Sequence, residues 1–375
     1  METCIVNSHN EWDKLEEVIV GDGFPSSLPA LDFTFQMFFH DNIHGQDLRG
    51  VYRDREVYIK KKYVEEMSED VEGFVELLES HGIIVKRPKV PKKVQDTKTP
   101  NWKSTNFHPL NVRDLTMVVG NEIIETPVET RFRYFETDYL KHLYYDYFRR
   151  GAKWTVAPRP LLLDSSFDMS YVLRDDMNDD SREWYESLME TDNELHYGFE
   201  IMFDAAQCLR LGSDILFNCA TENHRLGAEW LQRNIGNDYK VHQITLCDSH
   251  VDSTIIPLRP GLLLVDWHHF KDINDLPEPM RGWDIISAPK NPNRTRDYDG
   301  RDLILASSSI DINVLSIDQN TIICHDEYHH ILQPLLKPYN IEAIPCRLRH
   351  GEIFSGAFHC LTLDVRRQSK LENYF

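Results

Sequence analysis

Six short apolar runs punctuate the chain, each ending in a small or polar residue: EEVIVGDG at 16–23, LTMVVGNE at 115–122, SDILFNCA at 213–220, GLLLVDWH at 261–268, NTIICHDE at 320–327 and HCLTLDVR at 359–366. Runs of this length bounded by turn-forming residues predict strands. Between the first two, Val64, Met67, Val71, Phe74, Val75 and Leu78 recur at helical spacing on an acidic background, and Gly82 then introduces the extended IIVKRP. A helix followed by a strand is predicted there. Thr221 caps a second helix over 222–235, with Leu226, Trp230 and Leu231 on one face and Gly236 as its stop. Strands mixed with helices throughout predict an α/β or α+β architecture. No low-complexity tract or long Pro/Gly/Ser linker divides the chain, so a single domain over 1–375 is expected, with the acidic 174–195 as an exposed excursion. The runs are too irregularly spaced for a solenoid, but small β-containing units repeated around a common axis fit the pattern.

Charge and cysteine usage narrow the function classes. A formal net charge of −20 argues against a nucleic-acid partner, because binding to a phosphate backbone is carried by clustered Lys and Arg. The acidic surplus serves solubility, or it draws in cationic substrates. Seven cysteines, at positions 4, 208, 219, 247, 324, 346 and 360, are odd in number, scattered and free of any C-x-x-C pair, which argues against a disulfide framework and a structural zinc site. A reducing cytoplasm is expected. No apolar run reaches the roughly 18 residues of a membrane span, and METCIVNSHNEWDKLEEVIVG lacks the basic patch and apolar stretch of a signal peptide.

Four places set a chemically capable residue at an apolar edge. In GAFHCLTLDVRR (356–367) Cys360 sits where a glycine-bearing loop runs into a strand. It is either an inert buried thiol or a nucleophile. Asp114 immediately precedes the strand of VRDLTMVVG, and Asp204 in IMFDAAQ is flanked by two alanines that leave room beside it. In SHVDSTII, His250 and Asp252 are two apart at the start of a strand, so period-two geometry turns both side chains the same way. Singly, each Asp reads as a cap or turn residue and the His as a satisfied polar group. As a set they suit a cationic electrophile: carboxylates beside a thiol repel an anionic intermediate but hold a guanidinium in two-point contacts. The guanidinium carbon is resonance-stabilised, so its attack needs positioning, a strong nucleophile and a proton donor for the departing amine.

The segments NEWDKLEEVIVG (10–21), RDLTMVVGNEIIETP (113–127), FRRGAKWTVAPRP (148–160), FDAAQ (203–207), HVDST (250–254) and GAFHCLTLDVRR (356–367) closely resemble the arginine:amine amidinotransferases of the guanidino-group-modifying superfamily, in order, interval and flanking residues. Within that family the cyanobacterial toxin-pathway enzymes are the most similar, those of saxitoxin ahead of cylindrospermopsin. The resemblance implies a pseudo-fivefold α/β propeller of ββαβ-type units and a cytoplasmic enzyme that needs no cofactor or metal. It implies arginine as donor, a primary amine as acceptor, and neither nucleic acid nor membrane as partner; a homodimer is compatible with it. Carried over by position, Cys360 is the nucleophile, His250 the general acid/base, Asp204 its orienting partner, and Asp114 with Asp252 the guanidinium clamp. Ser307, in LILASSSIDINV, matches a position that contacts the donor's amino-acid end. His269 stands where the family often has an arginine for the donor's carboxylate. Cys247 and Ser249 replace larger side chains, a methionine among them, of the glycine-accepting enzymes, which implies an acceptor larger than glycine. Ala357 replaces a glycine.

The run CHDEYHH (324–330) invites a metal reading, but His325 and His329 have no identifiable third ligand and read better as a solvated helix start. Other readings remain: a glycine amidinotransferase forming guanidinoacetate, a deiminase-type hydrolase in which water resolves the adduct, a non-catalytic acidic binding module, or a zinc protein. A titratable low-pKa thiol is expected to separate the enzyme from the binding module.

Overall fold

Each of the six apolar runs becomes a strand in the computed structural model, which describes residues 4–28, 32–39, 58–91, 96–170, 172–173, 182–183, 185–187, 193–266, 268–292, 298, 302, 304–306 and 310–375. Among these residues, five three-stranded sheets share one pattern: a central strand with an antiparallel neighbour on one side and a parallel neighbour on the other. In the second sheet Thr116–Val119 turns back into Glu122–Glu125, which pairs parallel with Lys153–Val156. The third joins Cys208–Leu211, Asp214–Asn218 and Lys240–Ile244 in the same way, and the fourth Ile255–Arg259, Leu262–Asp266 and Asp284–Ala288. The fifth comprises Leu315–Asp318, Thr321–His325 and Glu342–Cys346. Only the first sheet departs in connectivity: its central strand Leu15–Val20 pairs parallel with Ile84–Lys86 but takes its antiparallel neighbour, Thr362–Arg367, from the far end of the chain.

Parallel neighbours need a crossover, and helices supply it where the sequence is amphipathic. Lys61–Ser80 crosses in the first sheet, burying Met67, Val71, Phe74 and Leu78 of the predicted stripe, while Val64 and Val75 pack at its margin. Glu222–Ile235 crosses in the third, capped by the Thr221 side chain and ended by Gly236 at φ +77°. Its buried face is centred on His224, Gly227, Ala228 and Leu231 rather than on Leu226 and Trp230, which are only partly covered. Among the described residues, the fourth crossover holds only the 3-10 turns Ile273–Asp275 and Glu278–Gly282. The hairpin turn at Gly212 admits no side chain: φ is +72° and a Cβ would lie 2.0 Å from the Glu372 carbonyl oxygen. Most of the acidic 174–195 lies outside the described residues. Among the described residues no helix is long and apolar enough to cross a membrane.

The loop preceding the edge strand that runs antiparallel to each central strand is where this architecture places its polar residues. Asp114 precedes Thr116–Val119, Asp204 precedes Cys208–Leu211, His250 and Asp252 precede Ile255–Arg259, Asn313 precedes Leu315–Asp318, and Cys360 precedes Thr362–Arg367. Each sheet contributes from the same topological position.

Candidate active site

The Cys360 thiol is buried, and its Sγ–H donates to Asp252 Oδ2 at 3.4 Å. Asn313, itself buried, fixes the loop around it. Its Oδ1 accepts from the backbone N–H groups of His359 (3.1 Å) and Cys360 (3.0 Å), and its Nδ2 donates to Cys360 Sγ at 3.2 Å and to the Asp252 carbonyl at 3.3 Å. Gly356, four residues earlier, has no room for a methyl group, since a Cβ there would meet Asn111 Oδ1 at 2.1 Å. Burial, then the charges of Asp252 and Asp114, push the thiol well above its ordinary range. The pocket thus favours the thiol over the thiolate, the opposite direction to the low-pKa thiol expected to mark an enzyme.

His250 and Asp252 do not open a strand, as period-two geometry supposed. They lie on the 3-10 turn Val251–Ser253, with His250 at its N-cap, and the strand begins only at Ile255. The turn still aims both inward. His250 Nε2 meets Asp204 Oδ2 at 3.1 Å, its Nδ1 lies 3.9 Å from Asp114 Oδ1, and the Phe38 ring packs edge-on against it at 5.1 Å. Burial alone would lower the imidazole pKa, but Asp114, Asp204 and Asp252 outweigh it and raise it to about 9.

Asp204 is wholly buried at the start of the turn Ala205–Gln207, where the Gln207 side-chain oxygen accepts from its backbone N–H at 2.7 Å. Asp114 Oδ2 accepts from Arg133 Nη1 at 2.6 Å, and Arg133 is held in turn by Glu136 through Nε (2.7 Å) and Nη2 (2.8 Å). Burial raises the Asp114 pKa against the pull of Arg133, and it raises Glu136 to about 7. Asp252 Oδ2 also accepts from His359 Nδ1 at 2.7 Å; burial opposes its charge, but His359, His250 and Arg113 hold the carboxyl below the usual range. Beneath the site, Arg113, Arg210 and Arg367 neutralise Glu11 and Asp364 in a buried network.

A cavity of about 390 Å³ opens over these groups, lined among others by Phe38, Cys247, Ser249, His250, Asp252, His269 and Cys360. The structure thus brings together Cys360, His250, Asp204, Asp114 and Asp252, and sets Cys247, Ser249 and His269 on the cavity wall. Cys247 is spoken for: its Sγ–H donates to the His250 carbonyl at 3.3 Å, and burial pushes it up to about 12. Ser249 Oγ has no hydrogen-bond partner among the described residues. The half-exposed His269 bonds through Nδ1 to Asp266. Ser307 lies outside the described residues. His325 is not a solvated residue: it is a buried helix cap whose Nδ1 accepts from the Glu327 N–H, while its Nε2 donates to the Leu348 carbonyl at 2.7 Å.

Four supporting residues escaped the sequence reading: Asn313, His359, Arg133 and Glu136. Asn313 had a usable signal, since it stands just before an apolar strand like the others.

No family model matches the chain. Sequence relatives do. The L-arginine:L-lysine amidinotransferase of Pseudomonas savastanoi pv. phaseolicola is 34% identical, covering 100% of this chain and 98% of its own. The inosamine-phosphate amidinotransferase 1 of Streptomyces glaucescens is 33% identical over 99% of both chains, and the mitochondrial glycine amidinotransferase of Xenopus tropicalis 32% over 100% of this chain and 86% of its own. Among solved structures, the Streptomyces griseus inosamine-phosphate amidinotransferase StrB1 superposes with a TM-score of 0.83 at 32% identity, covering 99% of both chains. SxtG, an amidinotransferase from Microseira wollei in the saxitoxin biosynthetic pathway, superposes with 0.79 at 34% identity over 99% of this chain and 100% of its own. A dimethylarginine dimethylaminohydrolase, at 11% identity and a TM-score of 0.54, shares the fold alone. Relatives named for lysine, inosamine phosphate and glycine align with essentially the whole of this chain, and what their names have in common is amidino transfer: the chain belongs to the amidinotransferase family.

Proposed function

We propose that the protein takes the amidino group of arginine onto Cys360 and passes it to a primary amine larger than glycine. The observation that carries this reading is a trio of buried carboxylate oxygens, Oδ1 of Asp114, Asp204 and Asp252, none with a hydrogen-bond partner among the described residues. Leaving one such oxygen unpaired costs about 1–3 kcal/mol, so three gathered around His250, two of them acting on the thiol as well, suit a ligand rich in N–H donors. A guanidinium is that ligand, planar, always charged and carrying five N–H groups in arginine. The relative named for arginine and lysine supports arginine as the donor.

In this reading Cys360 attacks the guanidinium carbon between Asp114 and Asp252, and His250 protonates the nitrogen that departs with ornithine. Asp204 orients and charges His250. The acceptor amine then attacks the amidino-cysteine and frees the thiol. The cysteine itself carries the transferred group, so neither organic cofactor nor metal has a task. Ser307 and His269 are assigned to the donor's amino-acid end. Ser249 and Cys247 bound the acceptor side, where a cavity of about 390 Å³ falls in the range of roughly 300–1,000 Å³ that holds whole small molecules. The likeness to SxtG supports a place in toxin or other secondary metabolism, and seven free cysteines fit a cytoplasmic setting. The five like sheets support a single-domain propeller whose axis passes through the site.

Intact-mass analysis of the enzyme with arginine alone tests the core of the proposal. An amidino adduct with release of ornithine is expected, and Cys360→Ala should abolish both. Turnover without an adduct would overturn the covalent route. Competing amines then identify the acceptor: preference for glycine returns the protein to guanidinoacetate formation, and citrulline in the absence of any amine makes it a hydrolase.

A further inference from the structure

The amidino-cysteine route requires the Cys360 thiol to give up its proton, and the geometry points to Asp252, rather than His250, as the group that receives it, with His359 as its positioning residue. This assignment rests on the function proposed above. Asp252 Oδ2 is the oxygen to which the thiol donates, at 3.4 Å, and the same oxygen accepts from His359 Nδ1 at 2.7 Å. His250 is turned away from this task. Its Nε2 faces Asp204 at 3.1 Å and its Nδ1 faces Asp114 at 3.9 Å, an arrangement that favours a proton on both nitrogens. An imidazolium has no lone pair to offer. It is an acid waiting for the leaving amine, and it stays one to a pH of about 9.

The groups around Asp252 come from several loops. His359 from the loop before the last strand, His250 from its own turn and Arg113 from the loop before Thr116–Val119 favour its charged form at rest, against burial and the like charge of Asp114, while Cys360 faces it as the proton donor. Beyond His359, Glu11 Oε2 lies 3.5 Å from Nε2, a nitrogen with no hydrogen-bond partner of its own. His359 thus lies between two carboxylates, which supports its donating to Asp252. The two oxygens of Asp252 divide the work: Oδ1 is open to the guanidinium and Oδ2 to the thiol.

The step balances. The S–H bond breaks and its proton moves to Asp252 Oδ2, while a sulfur electron pair forms the bond to the guanidinium carbon. The carbon–nitrogen π pair withdraws onto nitrogen, leaving a neutral tetrahedral adduct beside a neutral carboxyl. A positive and a negative charge vanish together in a buried site, where separated charges are costly. His250 next protonates the ornithine nitrogen, and the C–N bond breaks with its pair on that nitrogen. A cationic amidino-cysteine and a neutral imidazole remain. In the second half, the acceptor amine's nitrogen pair forms the new C–N bond as His250 takes one of its protons; the C–S bond then breaks with its pair on sulfur, which recovers its proton from Asp252, and the product leaves as a guanidinium.

The pH dependence of adduct formation at saturating arginine, read by rapid quench and intact mass, tests the assignment. The resting enzyme already holds thiol, carboxylate and imidazolium, so the wild-type rate should be flat from about pH 6 to about pH 8 and fall above about pH 9. A rate climbing about tenfold per pH unit across that range would mean a neutral His250 or a preformed thiolate, and the assignment fails. Absence of adduct at every pH defeats the amidino-cysteine reading itself, a distinct result. His359→Phe removes the donor that keeps Asp252 ionised. Its rate at about pH 6 should fall about tenfold or more relative to that at about pH 8, with partial recovery in His359→Asn, which keeps an N–H donor. A uniform loss at all pH values would give His359 a merely structural role and overturn its part.

Discussion

Asp204→Asn removes one charge while keeping the size and shape of the side chain. His250 rises from 6.5 to about 9 in its pocket, and a rise of that size corresponds to about 3 kcal/mol of preference for the imidazolium. Three carboxylates supply it against burial, and Asp204 alone among them is in hydrogen-bond contact with the ring, at 3.1 Å. Its loss should therefore remove at least about 1 kcal/mol, roughly a factor of ten in proton affinity. In kcat/KM against pH, the alkaline limb set by His250 should move from about 9 to about 8 or lower, and an NMR titration of labelled histidine should show the same displacement. Asp114→Asn should lower the same limb, since its charge also raises His250, and in addition should raise KM for arginine. Stability carries the same imprint. A group whose folded value exceeds its unfolded 6.5 favours the folded state fully below 6.5 and loses that contribution as pH rises through about 9, so the stability gap between wild type and Asp204→Asn should close above that pH. An alkaline limb that stays in place, or moves upward, while activity falls would refute the reasoning.

Asn313→Ala deletes four hydrogen bonds around the nucleophile; adduct formation should slow by about ten- to hundredfold, with about 1–3 kcal/mol of stability lost in urea melts. Ser249→Met should shrink the cavity beside His250 and shift kcat/KM toward short amines by about 1–3 kcal/mol in discrimination, measured as glycine against a long amine. Gly356→Ala places a methyl 2.1 Å from Asn111 Oδ1, and a loss of about 1–3 kcal/mol in thermal unfolding is expected together with a disordered Cys360 loop.

The readable parts of the fold were those buried on both faces. Asp214–Asn218 and Leu262–Asp266 are central strands, covered throughout, and show as unbroken apolar runs. Their parallel neighbours, Lys240–Ile244 and Asp284–Ala288, are partly exposed and carry mixed polarity that no periodicity separates from loop. In the site, ionisable residues at apolar edges were legible as a set, because one buried carboxylate is ordinary and several converging on a thiol are not. Asn313 occupies the same kind of edge but is neutral, so a search for acids and bases passes over it. Arg133 and Glu136 act through Asp114 from a distant 3-10 region, a relation only folding creates. The inward aim of His250 and Asp252 was anticipated on the wrong geometry: a tight turn, not strand alternation, delivers it.

The first sheet, closed by pairing Leu15–Val20 with Thr362–Arg367, sets the order in which activity can arise during synthesis. The segment bearing Cys360 leaves the ribosome after every other contributor to the site. Until it arrives, the acid cluster around His250 lacks its nucleophile and the N-terminal strand lacks its antiparallel neighbour. Contacts so far apart in sequence are slow to form, because a long loop must close before they repay its entropy. On the proposed route a nascent chain that lacks Cys360 forms no amidino adduct, and a permuted chain that joins these two strands by a short hairpin should fold faster around the same residues.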